Sequence, residues 1–167
     1  LRQDLFQKML EEASAAVPLL KVPARNVNSS WISFAAGPFG HWGLAHTNDS
    51  RLRVEAYLDC GDAHRNTALA EHMQVEASKW RSATKQDLVF ELLEGRRACR
   101  IGVYSEAIDV LGLDEEDIAR LVAWGANALV TMYTYLDTPL REAAKQLKEE
   151  PDPQSVELEK AEQSEAF

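Results

Sequence analysis

The sequence predicts an α+β domain: a mainly antiparallel sheet of about five strands packed against helices in the order α-β-β-β-α-β-β-α. Three observations lead there. Residues 51–59 alternate apolar and charged side chains with the two-residue period of a strand. Short turn-type segments join that run to two earlier strand-like runs, and such connections make an antiparallel meander. The segments 1–17, 63–82 and 115–135 carry apolar stripes at helical spacing, and these need a sheet to cover.

The first helix sets Leu1, Leu5, Phe6, Met9, Leu10, Ala13, Ala16 and Val17 on one stripe. Pro18 ends it, and Pro23 keeps the next stretch extended. Asn26 to Ser30 is a turn-type stretch. Trp31 to Ala36 reads as a strand, Gly37-Pro-Phe-Gly40 as a hairpin turn, and His41 to Thr47 as the returning strand. After the turn Asn48-Asp-Ser50, the third strand places Leu52, Val54, Ala56 and Leu58 on one face. Arg51, Arg53, Glu55, Tyr57 and Asp59 take the other. Asp62 caps a helix from about Ala63 to Ser82, whose stripe is Leu69, Met73, Ala77 and Trp80. Leu88 to Leu93 and Ala98 to Tyr104 are two more strands around a turn at Glu94-Gly95-Arg96. Asp114 caps the last long helix, with Asp117 in its first turn. It is expected to reach Tyr135, then kink or break at Pro139 and resume as a short helix to Leu147.

The 167 residues fit one domain, assigned to 1–147, long enough to bury a core without staples. Apolar types at 46% and charged types at 27% exclude disordered, collagen-like and coiled-coil chains. The formal charge of −9, from 18 bases and 27 acids, argues against a broad cationic nucleic-acid surface. The last twenty residues hold two of the bases and seven of the acids, so 148–167 is read as an acidic, disordered C-terminal tail. Cys60 and Cys99 make no disulfide framework and no CxxC pair, which fits reduced thiols in a cytoplasm. No apolar run approaches the ~20 residues of a membrane span, and no signal-peptide pattern is present. A start at Leu1 rather than Met suggests a chain cut from something longer.

The third strand's charged face has two readings. An antiparallel sheet commonly turns one face to water, which alone accounts for the charges. If the last strand lies alongside, Glu55 and Arg100 form a cross-strand ion pair. Arg96 and Arg97 in the adjoining turn then add to a cationic patch suited to phosphate or carboxylate, which guanidinium groups bind bidentately. Glu76 sits between Met73 and Trp80 on an apolar stripe; it is either a boundary residue or a carboxylate held against Arg97 or Arg100.

Catalytic templates fail. The acid-x-Lys pair of a restriction-type nuclease, which holds Mg²⁺ and a water, is absent because Glu55 is followed by Ala56 and Tyr57. His41 and His46, five apart, point to opposite faces of a strand, and His64 and His72 belong to no zincin pattern. Nucleophile-elbow and phosphate-loop motifs are missing too. No catalytic residue, metal site or cofactor is assigned.

Several pieces taken together resemble a known family. Arg53-Val-Glu55-Ala-Tyr57-Leu-Asp59 leads through Gly61-Asp62 to Asn66, then Glu76, then Arg97-Ala-Cys-Arg100-Ile-Gly-Val-Tyr104. With Trp31-Ile-Ser-Phe34 at the opening, this resembles the bacterial family of domain of unknown function 4268 over roughly Leu1 to Leu140. Two departures stand out: the family's Asn-Lys pair appears as Asn66-Thr67, and its Ile-Glu pair as Val75-Glu76. The missing lysine removes one phosphate contact. The resemblance implies a domain C-terminal to a restriction-nuclease-like part, in a restriction-modification or phage-defence setting.

The leading expectation is a non-catalytic recognition or regulatory module using Arg53, Glu55, Tyr57, Asp59, Asn66, Glu76, Arg97 and Arg100, with nucleic acid or a nucleotide as ligand. Its partner in the parent chain would be an N-terminal nuclease-type domain. One alternative is a protein-interaction or homodimerisation domain, because Trp124, Met132, Tyr133 and Tyr135 spread around the last helix. Another is a degenerate metal-dependent nuclease using Glu55, Asp59 and Glu76.

Overall fold

A computed structural model describes residues 2–20, 30–93, 95–149 and the single residue 164. In chain order the elements are α1 (Arg2–Ala16), β1 (Trp31–Gly37), β2 (Gly40–His46), β3 (Arg51–Leu58), α2 (Ala63–Val75), α3 (Ala77–Thr84), β4 (Val89–Leu92), β5 (Cys99–Ala107) and α4 (Glu115–Glu149). The strands form one antiparallel sheet in the order β1-β2-β3-β5-β4. The α+β reading therefore holds, with the last strand lying directly beside the third. Among the described residues no helix is long and apolar enough to cross a membrane.

Tight turns set the meander. Pro38 and Phe39 link β1 to β2, and Gly40 must be glycine: its φ is +133°, and a Cβ there would collide with the Tyr57 carbonyl. On β3 the alternation acts as expected, with Leu52, Val54, Ala56 and Leu58 all buried on the helix side. Phe34, Trp42, Leu44, Ile101 and Val103 join them from the other strands. The cover comes from α4, through Leu129, Met132, Leu136 and Leu140, with Leu69 and Met73 of α2. Toward its N-terminal part α4 also receives α1, whose Met9 packs so closely that a Cβ on Gly125 would clash with it.

Two expectations about helices need correcting. The run 63–82 is two helices, broken at Glu76, where the backbone turns to φ −103° and ψ 27°. The break lets the Trp80 indole donate to the Met73 carbonyl at 3.1 Å, serving an acceptor at the end of α2. The long helix does not stop near Tyr135 but runs through Pro139 to Glu149. Pro139 removes one intrahelical bond, to the carbonyl of Tyr135, while buried Leu136 and Leu140 hold both sides of the gap. Smaller differences are that β5 extends to Ala107 and that Ala16 is exposed. Pro23, the turn 26–29, Glu94 and nearly all of the acidic segment 148–167 lie outside the described residues.

A buried polar clamp ties helix to sheet. Trp42 Nε1 donates to Asp137 Oδ1 at 2.9 Å, and Arg141 Nε donates to Asp137 Oδ2 at 2.8 Å. Arg141 then reaches the Ala35 and Ala36 carbonyls at 3.1 and 3.4 Å, where β1 leaves regular pairing and Ala35 has a φ of 49°. Removing the carboxylate strands the buried Trp42 indole N–H and takes from Arg141 its charged partner, leaving it only the two carbonyls. Asp137→Ala is expected to destabilise the fold by about 2–4 kcal/mol in urea unfolding. Asp137→Asn, which keeps an acceptor for Trp42, should lose less; equal stability of wild type and Asp137→Ala would contradict the clamp.

Candidate functional site

The face turned away from the helices is organised in rows. The strand registers align Ser33, Gly43, Glu55, Gly102 and Val89 across all five strands. One row to the side runs Trp31, Ala45, Arg53 and Tyr104. The opposite row runs His41, Tyr57, Arg100 and Glu91. Same-face rows lie about 7 Å apart. Glu55 thus stands in a trough with a glycine on each side, between two ridges that carry arginines and aromatic rings.

The glycines explain how the charges meet. A Cβ on Gly102 would lie 3.6 Å from the Arg53 stem, and one on Gly43 would lie 3.5 Å from Glu55 Oε1. Arg53 therefore folds across Gly102, and Glu55 leans over Gly43. Arg53 Nε comes within 2.7 Å of Glu55 Oε2, and Arg100 Nε within 3.0 Å of the same oxygen. Neither N–H is aligned for a hydrogen bond, so the contact is ionic, and these buried atoms remain without hydrogen-bond partners. The side chains are 8% (Glu55) and 11% (Arg100) exposed. Arg100 also reaches Glu91 at 3.7 Å, and Tyr104 donates to Glu91 at 2.7 Å. Burial opposes the Arg100 charge, but Glu55, Tyr104 and Glu91 outweigh it and hold its pKa above the ordinary guanidinium value.

This face opens into a cleft of about 700 Å³. Arg53, Glu55, Tyr57 and Arg100 line it, with Arg96 from the β4–β5 turn, His41, and Trp31 at the far wall. His41 and Tyr57 stack with ring centres 5.0 Å apart. Burial lowers the His41 pKa, and Glu55 and Asp59 offset this only in part, so the ring is neutral at neutral pH. His46 also lines the cleft, at the end of β2. The register still sets the two histidines on opposite faces, His41 opposite Tyr57 on the open face and His46 opposite the buried, helix-side Leu52. No metal-binding group of His, Cys, Asp and Glu occurs among the described residues.

Of the eight sequence-derived candidates, Arg53, Glu55, Tyr57 and Arg100 meet in the cleft. Asp59, Asn66 and Arg97 form a neighbouring corner. Arg97 Nη2 donates to Asp59 Oδ2 at 2.6 Å, and the Gly61 N–H donates to Oδ1 at 2.9 Å. Asn66 is fully buried; it accepts from the Cys60 N–H and donates to Asp59 and to the Arg97 carbonyl, bracing the strand ends. Burial alone would raise the Asp59 carboxyl, but Arg97, Gly61 and Asn66 hold it below the ordinary range. Glu76 belongs to neither group. It is 52% exposed at the α2–α3 junction, beside Lys79 at 3.4 Å, because the helix break rotates it off the apolar stripe. Burial pushes the Cys60 and Cys99 thiols up, so both stay protonated at neutral pH.

The fold and the cleft together define an α+β domain with an arginine-lined site on the open face of its sheet. The chain belongs to the family described as domain of unknown function (DUF4268), whose model matches residues 1–140. No curated protein and no solved structure matches it.

Glu55→Ala leaves the Arg53 guanidinium without its carboxylate and Arg100 with only the more distant Glu91, and should cost about 3 kcal/mol in chemical denaturation; a loss under about 0.5 kcal/mol would show the pair to be dispensable. The folded pKa of His41 is lowered, so its contribution to stability is present above the unfolded value near 6.5 and lost as pH falls below it. The melting temperature should therefore begin to drop below about pH 6.5. His41→Phe, which keeps a ring against Tyr57, should remove that first step, and an unchanged profile would contradict the assignment.

Proposed function

We propose that this domain is a non-catalytic recognition module that binds an oxyanion-bearing ligand in the sheet-face cleft. The carrying observation is the placement of Arg53 and Arg100. Both are nearly buried, both line the cleft, and both are anchored at Nε by one carboxylate. Arginine is suited to this because its planar fork matches phosphate and carboxylate oxygens. Anchoring it beforehand reduces the ordering entropy lost on binding. Arg96, exposed at the rim and without an ion-pair partner among the described residues, supplies a further contact.

The larger setting we propose is a bacterial, cytoplasmic protein of the restriction-modification or phage-defence kind, with a nuclease-type domain preceding this one. Support comes from the resemblance and from two thiols without a disulfide. The other readings have less to stand on. Met132 is buried, and Trp124 and Tyr133 pack against the domain's own core, so α4 spends most of its apolar surface internally. Glu55 is held by arginines and Glu76 lies elsewhere, so the three acids of a degenerate nuclease do not gather.

Calorimetric titration with inorganic pyrophosphate at low salt should show saturable binding that weakens as salt rises. Arg96→Ala, an exposed change, should weaken it about three- to tenfold, roughly 0.6–1.4 kcal/mol. No heat at millimolar pyrophosphate, or binding indifferent to salt and to Arg96, would overturn the proposal.

A further inference from the structure

The oxyanion reading leaves part of the cleft unused. Trp31 is a large apolar ring, 56% exposed, on the edge strand at one wall. It shares a row with Ala45 and Arg53, so an aromatic platform, a small floor residue and a guanidinium lie in register across β1, β2 and β3. The platform and the cation are two strand spacings apart, about 10 Å. Gly43 continues the low floor toward the second aromatic wall, the His41–Tyr57 stack. His41 is neutral there, so that wall offers ring faces rather than charge.

A bare phosphate or a small carboxylate has no use for these walls. A duplex needs a broad basic surface, which a chain of net charge −9 does not offer. A ligand with a planar heterocycle at one end and a phosphate at the other uses both. Base stacking on an aromatic ring is favourable and accepts any base, because every base has a π-face.

Resting on the oxyanion reading, we infer that the cleft binds a nucleoside phosphate, either free or as a unit of a single strand. Its base lies over Ala45 and Gly43 against Trp31, and its phosphate meets Arg53 and Arg100. Glu55 takes no part in contact with the phosphate; it is the positioning residue that turns both guanidiniums.

The test compares adenosine monophosphate, ribose 5-phosphate and a 5′-phosphorylated trinucleotide on the same protein by calorimetry, with pyrophosphate as reference. Adenosine monophosphate should bind at least tenfold tighter than ribose 5-phosphate. Trp31→Ala should erase that difference without changing the ribose 5-phosphate affinity, and Trp31→Phe should keep most of it. A further tenfold gain for the trinucleotide would make the natural source a single strand, whereas equal affinities would make it a free nucleotide; both outcomes support the inference. Equal binding of adenosine monophosphate and ribose 5-phosphate overturns it while leaving the oxyanion reading in place. Absence of binding by all four compounds overturns both.

Discussion

Everything distinctive about the open face depends on one carboxylate. Glu55 is buried in the middle of a sheet, and a buried carboxylate is tolerated only when countered by opposite charge. Arg53, two residues away on the same strand, and Arg100, on the neighbouring strand, supply the counter-charge. That arrangement requires β5 to insert beside β3 rather than at the sheet's edge, and the strand order does this. Gly43 and Gly102 flank residue 55 in register, and the Glu55 and Arg53 side chains pack over them. Charge pairing and strand order are thus parts of one constraint.

The opposite face supplies rigidity. The apolar side chains of β3 and β5 are buried against α4, and the Trp42–Asp137–Arg141 clamp joins that helix to the irregular end of β1. The four arginine, glutamate and tyrosine positions at the cleft's centre all lie on β3 and β5, on such a rigid base. Asp59, Arg97 and Asn66 hold the ends of β3 and β5 together at one margin, so their importance is in bracing the sheet. The proposed binding surface is correspondingly smaller than the set of polar residues that share the motif.

How much of this was legible in the sequence varied with the range of the interaction. The two faces of β3 follow from alternation along nine residues, and the turns on either side are local, so both were readable. The pairing of Glu55 with Arg100 was conditional on strand adjacency, which alternation does not specify. Gly43 and Gly102 carried no local signal, because their role appears only when three strands are in register. Of the two readings for Glu76 the boundary residue is the one found, not the carboxylate held by Arg97 or Arg100; the helix break there, where Trp80 four residues on reaches back to Met73, is a feature the unbroken helical stripe does not show. Of the kink and the break that Pro139 suggests, the break does not occur, since a proline flanked by buried leucines on a well-packed helix does not end it. Trp31 stood only as part of a family pattern, and its place beside Ala45 and Arg53 came with the register.

The central claim is that Glu55 holds Arg53 and Arg100 ready for an oxyanion. The arginine side-chain Nε–H signals of the intact domain report on this directly by NMR during a titration with inorganic pyrophosphate. The account predicts two signals set apart from the exposed arginines and protected from solvent exchange. Both should move with pyrophosphate, and both should collapse toward the exposed group in Glu55→Gln. Signals already averaged in the wild type, or unmoved by pyrophosphate at saturating concentration, would contradict it.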